Sequence, residues 1–230
     1  MSRRRNKRDR AAAKQQEPRN PGYKEYKVKA RTAGQLELLD KIQESIVTLC
    51  SGPPGSGKTF LATYLGVKAL KMGKVKKLLL TRPAVEASAT LGFLPGDLTQ
   101  KMAAFLVPLF DELSYFLEKK LIERWMNEGV IEICPVGFFR GRTLKDTYAI
   151  LDEGQNCTLG ELRTILSRVG EGSQLVIVGD TKQCDIPNSG FRSVIDIMDG
   201  VEDLEIVRLK YTDVVRSQIV IDMENRFNGK

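Results

Sequence analysis

GPPGSGKT, residues 52–59, is the stretch whose reading decides the fold. Gly52, Pro53, Pro54, Gly55, Ser56, Gly57, Lys58 and Thr59 satisfy the pattern G-x-x-x-x-G-K-[ST] in full. A short β-branched run, SIVTLC (45–50), precedes it, and a helical run stopped by Gly73 (60–73) follows. The glycines permit a tight loop whose backbone N–H groups point inward at phosphate oxygens. The helix N-terminus adds its partial positive charge. In such a loop Lys58 reaches the β and γ phosphates of ATP, and the Thr59 hydroxyl ligates Mg2+.

Outward from this loop, strands alternate with helices. Further strands are predicted at 76–83, 130–136, 147–153, 173–180 and 204–210, and helices at 34–44, 159–170, 190–200 and 212–227. The strands are continuous apolar runs, the signature of a parallel sheet covered on both faces. The fold class is therefore α/β. The stretch 84–128 is long for one crossover and reads as a helical insertion.

Residues 1–28 read as a disordered basic tail, and 29–230 as the folded domain. Net charge is +7, yet residues 1–29 hold eleven Lys or Arg against three Asp or Glu, so the rest is close to neutral. A basic arm of this kind suits nucleic acid, or simply solubility. Four scattered cysteines with no C-x-x-C pair argue against a disulfide framework or a structural zinc site, and the absence of histidine excludes every mechanism with an imidazole base. Without a secretory signal or a membrane-length apolar run, the chain is expected to be cytoplasmic, with no membrane partner. Asn156-Cys157-Thr158 is taken as a chance match to the glycosylation pattern.

Two more strand ends carry chemistry. In AILDEGQN (149–156) an apolar run ends in two acids. Asp152 would hold the metal, and Glu153 suits a base for an attacking water. In VIVGDTKQ (176–183) Gln183 offers a donor and an acceptor for sensing the γ-phosphate or that water.

Taken with LLLTRPAVEA (78–87), LGFLPGDL (91–98), RGRTL (140–144) and DVVR (213–216), these motifs closely resemble the PhoH-like ATPases over roughly residues 32–225. More distantly they look like the first RecA-like domain of superfamily 1 helicases. The resemblance implies that Gln35 reads adenine and that Arg82, Arg140 and Arg142 contact a nucleic-acid backbone. It also implies that Arg216, expected in the final helix, is an arginine finger, with a neighbouring subunit's ATP favoured over its own chain's as its target. Lone arginines can equally be solvated or paired internally. Phe138 and Phe139 are the best candidates for stacking bases, though core is the commoner use. Gly154 departs from the alanine usual in the family and is expected to loosen the chain after the catalytic acid. Ser217 departs from histidine. Some relatives carry a nuclease domain, which has no visible home here.

A single RecA-like domain needs a neighbour to complete a cleft, and the family tends towards hexameric rings, so a homo-oligomer is expected. The leading expectation is an ATPase linked to RNA or single-stranded DNA, with possible helicase activity. The alternative is a regulatory or assembly ATPase acting on a protein partner. A small-molecule kinase is disfavoured by Glu153, Gln183 and the lack of a recognisable lid.

Overall fold

The structure, a computed structural model, describes residues 22–24, 28–83 and 98–227. In chain order the elements are α1 (Ala33–Glu44), β1 (Val47–Ser51), α2 (Lys58–Lys71), β2 (Lys77–Arg82), α3 (Leu98–Phe116), α4 (Lys119–Asn127) and β3 (Ile131–Pro135). They continue with β4 (Thr147–Leu151), α5 (Leu159–Leu166), β5 (Gln174–Gly179), α6 (Phe191–Ile197), β6 (Leu204–Arg208) and α7 (Gln218–Phe227). The strands form one six-stranded sheet in the order β3-β2-β4-β5-β1-β6. Every pairing is parallel.

The strands are apolar at successive positions because each face of the sheet meets its own core. On β2, Leu78 and Leu80 enter one core and Leu79 the other; on β5, Val176 and Val178 oppose Leu175 and Ile177 in the same way. The first core gathers Leu38, Leu61, Leu113 and Trp125 from α1 to α4. The second gathers Leu162, Ile165, Val194 and Ile195 from α5 and α6.

This strand order positions the site. In a parallel sheet all strands end on the same edge, where ligands bind. Because β5 lies between β1 and β4, the loops after β1, β4 and β5 open beside one another. The phosphate loop, the acid pair and the Gln183 loop therefore converge.

Three local expectations need adjusting. Helices α3 and α4 do fill the insertion between β2 and β3, but residues 84–97, with AVEA and most of LGFLPGDL, lie outside the described residues. Most of the expected tail lies outside them too. Gly22–Lys24, however, are docked on the insertion: the Lys24 N–H donates to Phe116 O (3.0 Å) and the Glu118 N–H to Gly22 O (2.9 Å). The Tyr23 ring meets Trp125 edge-on at 5.4 Å, partly burying an aromatic that a solvated tail would leave in water.

The final helix begins at Gln218, not at 212. Ahead of it, Asp213 closes a 3-10 turn by accepting from the N–H of Lys210 (2.8 Å) and of Gly34 (3.3 Å). The chain then leaves extended at Val214, so Arg216 sits in a connecting stretch, not on a helix.

Candidate active site

The phosphate loop leaves β1 with the Gly52 N–H donating to Gly179 O of β5 (3.1 Å). Gly55 and Gly57 have φ of 77° and 82°, which side-chain-bearing residues rarely adopt. That curl carries the chain from β1 into the N-terminus of α2, whose N-cap is Gly57. Lys58 Nζ donates to the carbonyls of Gly52 (2.6 Å) and Pro53 (2.9 Å). Burial pushes its pKa down against the pull of nearby acids. Thr59 Oγ1 donates to Asp152 Oδ1 at 2.8 Å. These two hard oxygen donors, side by side at the loop's end, fit a Mg2+ ion that keeps water and phosphate oxygens in its other positions. Among the described residues no set of three or more His, Cys, Asp or Glu forms a metal cage.

A cavity of about 290 Å3 opens here, lined by Lys58, Thr59, Asp152, Glu153, Gln183 and Arg216 among others. Glu153 is left-handed (φ 55°, ψ 41°), a conformation that costs on the order of 1–3 kcal/mol in a non-glycine residue and clusters at functional sites. Burial raises the pKa of Asp152; Arg82 opposes the rise and Glu153 adds to it.

Sequence reasoning missed several contributors. Gln155 Nε2 donates to Glu153 Oε2 (2.5 Å), while its Oε1 accepts from the Asp180 N–H (2.9 Å). Asn156 exchanges two bonds with Asp185, 2.6 and 2.9 Å, which stitches the acid loop to the loop bearing Gln183. That buried amide is not a glycan acceptor. Both residues follow the acids directly in GQN, a signal that was available. Glu112, from α3, also lines the cavity. Burial pushes its carboxyl up to about 7, with the Asp152 charge adding and Arg82 opposing. Nothing local marks it, because only packing brings α3 to the sheet edge.

Other expectations are redrawn. Arg82 is largely buried, its side chain 15% exposed and turned onto both acids, Nε 3.1 Å from Asp152 Oδ2 and Nη2 3.1 Å from Glu153 Oε1. The Nε contact is ionic, since the N–H is not aimed to make a hydrogen bond. Arg142 is also paired within the chain, gripping both oxygens of Glu132 on β3 while its side chain stays 37% exposed. This pair, together with Lys77, holds the Glu132 carboxyl down at about 2. Arg140 stays exposed. The phenylalanine pair divides: Phe139 is core and Phe138 is 58% exposed.

Arg216 lies across its own chain's loop, where a Cβ on Gly55 would fall 2.2 Å from its Nε. The neighbouring Val215 N–H donates to Gly55 O (2.9 Å). Within its own chain, Arg216 thus lines the same cavity as Lys58 and Glu153.

Gly154 is not a loosening element. A Cβ there would lie 2.8 Å from Ile177 Cγ2 and 3.3 Å from Val178 O, so its role is close packing on β5. Gln35 is buried and braces the loop, Nε2 donating to Ser56 O (3.0 Å) and Oε1 accepting from the Arg31 N–H (2.9 Å). It borders a second cavity of about 530 Å3, shared with Val28, Phe60 and Val215, against the outer side of the phosphate loop.

A parallel sheet with a phosphate loop after β1 and an acid pair after β4 defines a P-loop NTPase of RecA-like architecture. Within that class the chain belongs to the PhoH-like protein family, whose model matches residues 27–228. A PhoH-like protein of Bacillus subtilis (strain 168) is 43% identical over 196 residues, covering 84% of this chain and 61% of the relative. One from Synechocystis sp. is 45% identical over 196 residues, covering 84% and 60%. The chain thus spans about three fifths of the length of the curated relatives it matches. Among solved structures, the large terminase of a thermophilic bacteriophage, in complex with ADP, shares the fold. Its TM-score is 0.54 at 14% identity, covering 85% of this chain and 49% of that one.

Proposed function

We propose that this chain hydrolyses ATP with Mg2+ and couples turnover to RNA or single-stranded DNA. The observation that carries the hydrolytic reading is Glu153: a carboxylate on a strained backbone, held at both oxygens, facing the cavity that Lys58 and Thr59 line. Mg2+, held by Thr59 and, directly or through water, by Asp152, would supply charge neutralisation at the β and γ phosphates.

The chain's own groups do the rest. Lys58 exchanges the Gly52 and Pro53 carbonyls for phosphate oxygens. Glu153 accepts the proton of the attacking water on a lone pair that its bonds leave over. Gln183, exposed at the cavity rim, orients that water or the γ-phosphate. Arg216 adds a cation from within the same chain. The base of ATP occupies the second cavity between Phe60 and Val215. Gln35 has one N–H and one lone pair left to read it.

For the polymer, Phe138 and Arg140 are exposed just beyond β3, on the edge where the site opens. They suit base stacking and phosphate contact, with the basic N-terminal residues adding general attraction. Oligomerisation, with a hexameric ring as its simplest form, belongs to this reading, but Arg216 does not require it. Exposed Ile219 and Met223, four residues apart on α7, favour a second reading in which the ATPase acts on a protein partner.

The test is steady-state ATP turnover with and without single-stranded RNA and DNA across a salt series. Stimulation by either polymer, weakening steeply with salt, supports the first reading. Turnover indifferent to both supports the second.

A further inference from the structure

The register of the sheet puts an arginine beside the acids. β2 and β4 pair with Thr81 opposite Leu151, and the Asp152 N–H donates to Thr81 O (2.9 Å). The next residues, Arg82 and Asp152, must therefore emerge as neighbours. A planar guanidinium can serve two carboxylates at once, where a lysine ammonium serves as a point charge. Arg82 does so, with Asp152 on one side and Glu153 on the other, each at 3.1 Å.

Glu153 needs such support. Its side chain is 42% exposed, and a free glutamate there would spread over several rotamers. Its second oxygen is fixed from the opposite direction by Gln155, whose own carbonyl is anchored on the Asp180 N–H at the end of β5. The carboxylate is thus held between groups rooted in the strands on either side of its own. Each oxygen keeps a lone pair for an incoming proton.

We infer that Arg82 and Gln155 are positioning residues that aim Glu153 at the attacking water, and that Arg82 serves the acids rather than a bound polymer. This rests on Glu153 being the base.

The test compares Arg82→Gln, Arg82→Lys, Gln155→Leu, Glu153→Gln and the Arg82→Gln/Glu153→Gln double variant. The readouts are kcat and KM for ATP, with and without single-stranded RNA and DNA, and the Kd of a fluorescent ATP analogue as a check that each variant is folded. Misplacing a catalytic group by about 1 Å costs roughly 100-fold. Arg82→Gln and Gln155→Leu are therefore expected to lower kcat by about 10- to 100-fold, with KM and Kd within about 3-fold. Arg82→Lys recovers part of the loss. The double variant falls within about 3-fold of Glu153→Gln alone, because a clamp without its carboxylate has nothing left to aim.

Inactive Glu153→Gln beside normal Arg82→Gln and Gln155→Leu overturns the positioning role alone. So does an Arg82→Gln enzyme with full basal kcat that loses only polymer stimulation, or a double variant whose losses multiply. Wild-type turnover by Glu153→Gln overturns the base reading and the positioning role with it.

Discussion

Replacing Glu112 with Gln should stabilise the protein by an amount that grows as pH rises from about 4.5 through neutrality. The Oε2 atom of Glu112 is buried without a hydrogen-bond partner among the described residues. The carboxyl is pushed from its ordinary 4.5 up to about 7, first by burial and then by the Asp152 charge. A folded pKa above the unfolded one means that ionisation opposes folding. The cost is absent below about pH 4.5, where both states hold the proton; it grows towards pH 7 and is complete above it. At 1.36 kcal/mol per unit the gap corresponds to at most roughly 3 kcal/mol, and partial access to solvent brings this to ~2 kcal/mol. Glutamine keeps the shape and cannot ionise. Urea unfolding followed by the single tryptophan, Trp125, should show Glu112→Gln more stable by ~2 kcal/mol near pH 8 and unchanged near pH 4.5. Chelator should be present and nucleotide absent, so that no added cation offsets the charge. An equal gain at both pH values, or a loss near pH 8, would refute the reasoning.

Glu132 should behave in the opposite sense. Its pKa is depressed to about 2, chiefly by the Arg142 guanidinium, so its contribution is present above about pH 4.5 and is lost as pH falls towards 2. Glu132→Gln should cost ~1–2 kcal/mol near pH 7 and progressively less in acid, again by urea unfolding. Gly154→Ala should lower stability by ~1 kcal/mol in thermal unfolding, because its new methyl group overpacks against Ile177; an unchanged melting temperature would show that β5 gives way freely. Phe138→Ala should weaken binding of single-stranded polymer by roughly 5- to 100-fold in a fluorescence titration. Arg140→Ala should reduce the salt slope of that binding by about 1.

The architecture was legible because it rests on local patterns. The runs that became β2 and β5 hold three or four successive apolar residues, Leu78–Leu80 and Leu175–Val178, as a sheet with a core on each face requires, and GPPGSGKT marks which strand ends at the phosphates. What was not legible rests on neighbours across the sheet or on long-range packing. Arg82 and Arg142 were assigned to a polymer from their motifs; their partners Asp152, Glu153 and Glu132 are set by strand order and register. Helical periodicity carried the last helix back to 212, whereas Asp213 is claimed by Gly34, 179 residues away. Gly154 read as freedom until Ile177 of the adjacent strand was seen to occupy the space of a side chain. Glu112 belongs to no motif and enters the site only because α3 packs along α2.

The most direct test of the central claim is single-turnover phosphate release from Mg·ATP by the wild-type chain and by Glu153→Gln, with nucleotide affinity measured in parallel. The account predicts release by the wild type, release slower by ~100-fold or more in the variant, and ATP affinity within a few-fold of wild type. Release at the wild-type rate from Glu153→Gln would contradict it.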